Sequence, residues 1–170
     1  EPNYLPFVEF YDEDFPWRYT PAAPVSGAGT GDKKLLLRPW VALVVLTAEE
    51  FVENRRRQPL PSILVKNPAA VLPPHRELHL WAHAHSNLSD GSPDTDLDQY
   101  LESMGKKSQQ DPDGLYSRLV SPRRLAANLL YHAFVVPVFE VGRLAGLGVP
   151  TQGVDIQKAA WTDVDNLPLE

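Results

Sequence analysis

The chain contains no cysteine among its 170 residues, which excludes disulfide bridges and thiolate zinc sites. Methionine is nearly absent too, Met104 standing alone. No apolar run approaches the roughly 18–20 residues that a membrane-spanning helix needs, and no basic segment followed by an apolar one marks a secretory leader. These absences predict a soluble chain without a membrane span. Positive charge is in deficit, 16 Lys and Arg against 22 Asp and Glu, for a net charge of −6. Nonspecific nucleic-acid binding, which needs clustered cations to neutralise phosphates, is therefore disfavoured. Proline is abundant, at 17 residues or about twice its usual share. With 43% apolar residues, the composition predicts one globular domain over 1–170, built from many short elements joined by rigid turns. The lone internal methionine points to a piece of a larger chain.

Hydrophobic patterning places strands near 5–10, 36–46, 62–66, 77–85 and 132–138. The run from Val41 to Leu46 reads as buried on both faces, the signature of a central strand, with Pro39 bending the chain at its entry. Pro137 lacks a ladder donor, so the strand that carries it belongs at a sheet edge or a bulge. Phe15, Trp17 and Tyr19 alternate as on an amphipathic strand. Helices are expected near 48–57, where Thr47 and Glu50 match a capping box; near 96–106, where Leu97, Tyr100, Leu101 and Met104 follow helical spacing; near 121–129, behind Ser121-Pro122; and near 140–147, closed by Gly148 and Pro150. Residues 20–34 read as a flexible loop and 151–170 as an irregular tail. The expected fold is α/β, with α+β the alternative: a single mixed sheet, about four short helices and proline-rich loops.

Chemistry-bearing patterns are few. GAGTGDKK at residues 27–34 lacks the Ser or Thr of a P-loop and leads into a strand rather than a helix. Asp12, Glu13 and Asp14 diverge on a turn. Asp90, Asp94, Asp96 and Asp98 do not match a calcium loop, because Gln99 and Gly105 occupy the positions that should be Gly and Glu. Arg55, Arg56 and Arg57 read as a solvated helix end. In ELHLWAHAHSNLS, strand periodicity puts His79, Trp81, His83 and His85 on one face. A His-X-His pair there can converge on one Zn or Mn ion if a third ligand arrives from elsewhere. Trp17 and Tyr19, with Arg118, Arg123 and Arg124, are the candidate interaction surface.

HAHSNLSDGS resembles the first motif of the polymerase-and-histidinol-phosphatase phosphoesterases. That resemblance implies metal ligation by His83 and His85, with Asp90 in the adjoining loop. The later histidine motifs of that family have no counterpart here, since His132 is the sole histidine downstream. A broader resemblance covers three blocks: EPNYLPFVEFYDEDFPWRYTPAAP at 1–24, LRPWVALVVL at 37–46, and SRLVSPRRLAANLLYHAFVVPVFEVGRLAGLG at 117–148. Together they resemble a segment of large uncharacterised bacterial proteins associated with gene clusters for phage-tail-like contractile injection particles. It implies a noncatalytic structural or interaction module, assembled in the cytoplasm into a particle, with other subunits or domains of the parent chain as partners and no cofactor. The alternatives are a metal-dependent hydrolase using His83 and His85, with His79, and a carbohydrate- or peptide-binding domain with a pocket lined by Trp17, Trp40 or Trp81.

Overall fold

A computed structural model describes residues 5–11, 15–21, 38–54, 59–86 and 114–162, together with the single positions Lys106 and Gln110. The expected helix at 96–106 apart from Lys106, the acidic groups at 12–14 and 90–98, Arg55 to Arg57 and most of the 20–34 loop lie outside these residues.

Its centre is β2, Val41–Thr47, in which every residue from Val41 to Leu46 is buried. The side chains divide by parity, as the pleat requires. Val41, Leu43 and Val45 pack with Ala82, Leu119, Val8 and Phe10. Ala42, Val44 and Leu46 pack with Val65, Leu72, Leu78, Val138, Phe139 and Trp161. One strand thus serves two cores, which is why its sequence is apolar throughout.

The first core is roofed by a three-stranded antiparallel sheet in the order β1 (Phe7–Tyr11), β6 (Leu115–Val120), β5 (Ala82–Ser86). The second is closed by the hairpin of β3 (Phe51–Asn54) and β4 (Ser62–Val65), the short helix α1 (Pro68–Val71), a 3-10 helix at His75–Leu80, and the segment running to Trp161. β2 itself pairs antiparallel with β7, Tyr131–Pro137, in a sheet of two strands. After β7 comes α2, Glu140–Gly146. Gly142 sits where an added Cβ would come within 3.1 Å of Pro137, so the helix approaches the strand closely because glycine is there.

The fold is therefore α+β. Every strand pairing among the described residues is antiparallel, and the expected single mixed sheet is replaced by three small sheets. Two α-helices are present among the described residues instead of about four. Only the glutamate half of the capping box at Thr47 and Glu50 forms, with Thr47 N donating to Glu50 Oε2 at 2.7 Å, while Glu50 N donates to the Thr47 backbone carbonyl at 3.1 Å, as in a turn. It closes a turn into β3 rather than a helix over 48–57. Residues 121–129 are irregular, with Asn128 at φ 61°. Residues 77–80 belong to the 3-10 helix, so the strand expected over 77–85 starts only at Ala82. Residues 16–19 form a turn rather than an aromatic strand.

Candidate interaction site

A two-stranded sheet has two outer edges, and the hydrogen-bond parity of β2 and β7 tells what each presents. Pro137 has no N–H, so its pairing with Val41 cannot be a reciprocal hydrogen-bonded one. The adjacent bond, Val138 N to Trp40 O at 2.9 Å, fixes the same phase. His132, Phe134 and Val136 therefore bond inward to β2, and the N–H and C=O groups of Ala133 and Val135 point away from it. Val45, by the same parity, directs its carbonyl out of the β2 edge.

That β2 edge is plugged. Arg123 donates to Val45 O at 3.0 Å and forks onto Glu50, at 2.6 Å to Oε2 and 2.9 Å to Oε1. Its guanidinium also lies 5.2 Å from the centre of the Tyr131 ring. The hydrogen bonds from Arg123, joined by the one from Thr47 N–H, outweigh partial burial and hold the Glu50 carboxyl below its ordinary value. The same pairing raises Arg123. Glu140 is likewise lowered, first by hydrogen bonding from Arg143 and then by the charges of Arg143 and Lys158.

A carboxyl lowered by folding contributes stability in full above its unfolded value, near 4.5, and loses it as pH falls through the lowered one. Glu50→Gln is therefore expected to reduce stability by about 1–2 kcal/mol at neutral pH. It also removes part of the stability loss below about pH 4.5. Urea melts across that range check both effects.

No such plug covers the β7 edge among the described residues. The edge borders an open, mainly apolar groove of about 620 Å³ between β7, the β3–β4 hairpin, α2 and Trp161. Phe51 stands against Phe134 and His132 with ring centroids at 5.0 and 5.3 Å, forming one wall. Leu60, 59% exposed, and Val135, 47% exposed, lie at the mouth. Leu60 N donates to Gly146 O at 3.1 Å, tying the hairpin to the end of α2. The groove offers what an added extended chain requires: main-chain donors and acceptors at two-residue spacing that no described residue covers, over apolar surface for alternate side chains.

The histidines lie elsewhere, on the outer face of the three-stranded sheet. His83 is opposite Arg118 and His85 opposite Tyr116, and the next strand adds Glu9 and Tyr11 to the same two rows. His85 stacks on Tyr116 at 5.0 Å and is 6.3 Å from His83, centroid to centroid. Arg118 lies 5.0 and 5.1 Å from the Phe7 and Tyr116 ring centres and pairs with Glu9 at 2.6 Å. Hydrogen bonds from Tyr11 and then Arg118 lower the Glu9 carboxyl. His79 is not on this face; its Nδ1 bonds to Arg76 O within the 3-10 helix. Among the described residues, no group of three or more metal-ligating side chains gathers.

The other sequence candidates scatter. Trp17 packs on the sheet-side core. Tyr19 is exposed and meets Trp40 edge-on at 5.2 Å. Arg124 is exposed, while Arg118 and Arg123 are held by Glu9 and Glu50. Trp161, rather than Trp17, Trp40 or Trp81, lines the groove. Sequence reasoning missed the groove itself, although Pro137 carried the signal for the edge. No family description matches this chain, and neither curated proteins nor solved structures yield a significant similarity.

Proposed function

We propose that this chain is a noncatalytic interaction module of a larger bacterial assembly of the phage-tail-like, contractile injection kind, and that it receives an extended segment of a neighbouring subunit along β7. The observation that carries this reading is the contrast between the two edges of one small sheet: β2 is capped by Arg123, whereas none of the described residues caps β7 above the apolar groove. Unpaired strand edges are templates for added strands, and proteins that do not use them cover or charge them. The incoming segment is expected to carry apolar residues at alternate positions, with its main chain bonded to Ala133 and Val135. Site-resolved amide exchange on the assembled particle tests it: protection gained at Ala133 and Val135 supports the reading, and unchanged exchange there contradicts it. The organisation of a contractile particle comes from the sequence resemblance alone.

One observation favours the metal-dependent reading. Leu80 O can only accept, so His83 donates Nε2–H to it at 2.9 Å and keeps its Nδ1 lone pair for a ligand. Stoichiometric Zn or Mn in untagged protein, lost in His83→Ala, would replace the interaction reading with a metal-dependent one.

A further inference from the structure

Strand β7, Tyr131 to Pro137, includes no Asp, Glu, Lys or Arg, although edge strands that must stay single are commonly guarded by such charges. Tyr131, Ala133 and Val135 share one phase and turn their main-chain N–H and C=O groups away from β2. No described residue forms a backbone hydrogen bond with them there. Ala133 is exposed, as is Val135 at 47%. Leu130, just before the strand, is 76% exposed. Apolar surface facing water is thus continuous with the open edge, which marks an interface more often than idle surface.

We propose that the segment received along β7 is β7 of a second copy of this chain, antiparallel to the first about a two-fold axis at Ala133. Hydrogen-bonded pairs form only between residues whose main-chain groups point outward, and this restricts where the axis can lie. At Ala133 it sets Ala133 against the partner's Ala133 and Tyr131 against the partner's Val135, so every outward donor and acceptor of Tyr131, Ala133 and Val135 is used. At Phe134 it would set Tyr131 against the partner's Pro137, which has no N–H for the Tyr131 carbonyl. At His132 it would set Val135 against the partner's Leu129, outside the strand. Between residues it would oppose outward groups to inward ones. The side chains agree with Ala133: Val135 meets the partner's Tyr131, a β-branched residue against an aromatic one, and Val136, which lines the groove, meets the partner's Leu130. Like surfaces meeting about a two-fold axis are the commonest form of assembly. Each copy carries a net charge of −6, so repulsion weakens the pairing at low salt and screening strengthens it. Self-pairing rests on the open-edge reading above and names the occupant of that edge.

Sedimentation velocity on the whole chain is expected to show a monomer–dimer equilibrium with a Kd of about 10 μM to 1 mM, tightening with salt. Amide protection at Ala133 and Val135 should rise with protein concentration, from fast exchange in the dilute monomer, while protection at Phe134 stays constant. Ala133→Lys and Ala133→Glu each place like charges on the axis and should weaken association about fivefold or more. Their equimolar mixture should associate at least as well as the wild type. A wild-type chain that stays monomeric up to about 1 mM, or that dimerises without gaining this protection, overturns self-pairing. Fast exchange at Ala133 and Val135 in that chain would leave the edge open for a different segment, so the broader reading survives. A mixture as weak as the single variants also overturns the axis at Ala133. Slow exchange at both residues even in the dilute monomer would remove the open edge, and self-pairing with it. If either variant does not fold, the wild-type equilibrium and its protection still decide.

Discussion

Phe134→Pro is expected to destabilise the protein by about 3 kcal/mol or more, whereas Val135→Pro, one residue away, costs about 1 kcal/mol. General proline intolerance cannot produce this asymmetry, because both residues lie within the seven of β7. Phe134 pairs with Val44 at a position where its N–H enters the ladder, and its ring meets Phe51. Val135 turns its N–H to the outside and is 47% exposed, so proline there removes no bond to β2. Urea titrations of the two variants, each set against the alanine variant at the same position to remove the side-chain loss, settle the phase of the strand: equal proline-specific losses, or the reverse order, would show that it has been assigned backwards. Val135→Pro then becomes a variant that folds but offers one fewer donor to an added strand.

The second large effect concerns the divided core. Leu46 is fully buried in the cluster with Trp161, and Leu119 is buried to nearly the same degree in the cluster with Phe10. Truncating either to alanine removes apolar contact and leaves a cavity, at a cost of about 2–5 kcal/mol each. Against a typical total of about 5–15 kcal/mol, either change is severe. Because the two side chains belong to separate clusters on opposite faces of β2, their costs should add to within about 0.5 kcal/mol. Partial unfolding with two separate transitions would instead mean that the clusters melt independently and that β2 does not couple them.

The parts legible in the sequence are those where a single cause dominates. Val41 to Leu46 are uniformly apolar because two cores claim alternate residues, and only a strand enclosed on both faces satisfies that pattern. Glu140–Gly146 forms close to where its periodicity and the following Gly148 place it. Pro137 identified an edge because a missing N–H restricts where a strand can sit. The misreadings come from local chemistry that serves more than one backbone. The Thr47–Glu50 bond satisfies a turn as readily as a helix start, and Arg123 then draws Glu50 toward the β2 edge.

Ser121 also behaves as a cap, its Oγ lying 3.4 Å from Arg123 N, yet no helix follows. Arg123 is committed to Val45 and Glu50, and Tyr131 OH takes the Ala126 N–H at 3.0 Å. Strand β6 was hidden because its inward positions include the buried Ser117, which breaks the apolar alternation, while Tyr116 and Arg118 face out. The histidine run looked like one face of a strand, but His79 lies in the 3-10 helix before it. The groove was invisible for a different reason: its walls come from residues as far apart as Phe51 and Trp161, and no local pattern records that meeting.

Amide hydrogen exchange on the isolated protein tests the bare β7 edge most directly. His132, Phe134 and Val136 should exchange slowly, at rates set by opening of the β2–β7 ladder, while Ala133 and Val135 exchange at least about a hundredfold faster. Equal protection along the whole strand would mean that the outer edge is already occupied, and the proposed docking of a neighbouring segment would have nothing left to bind.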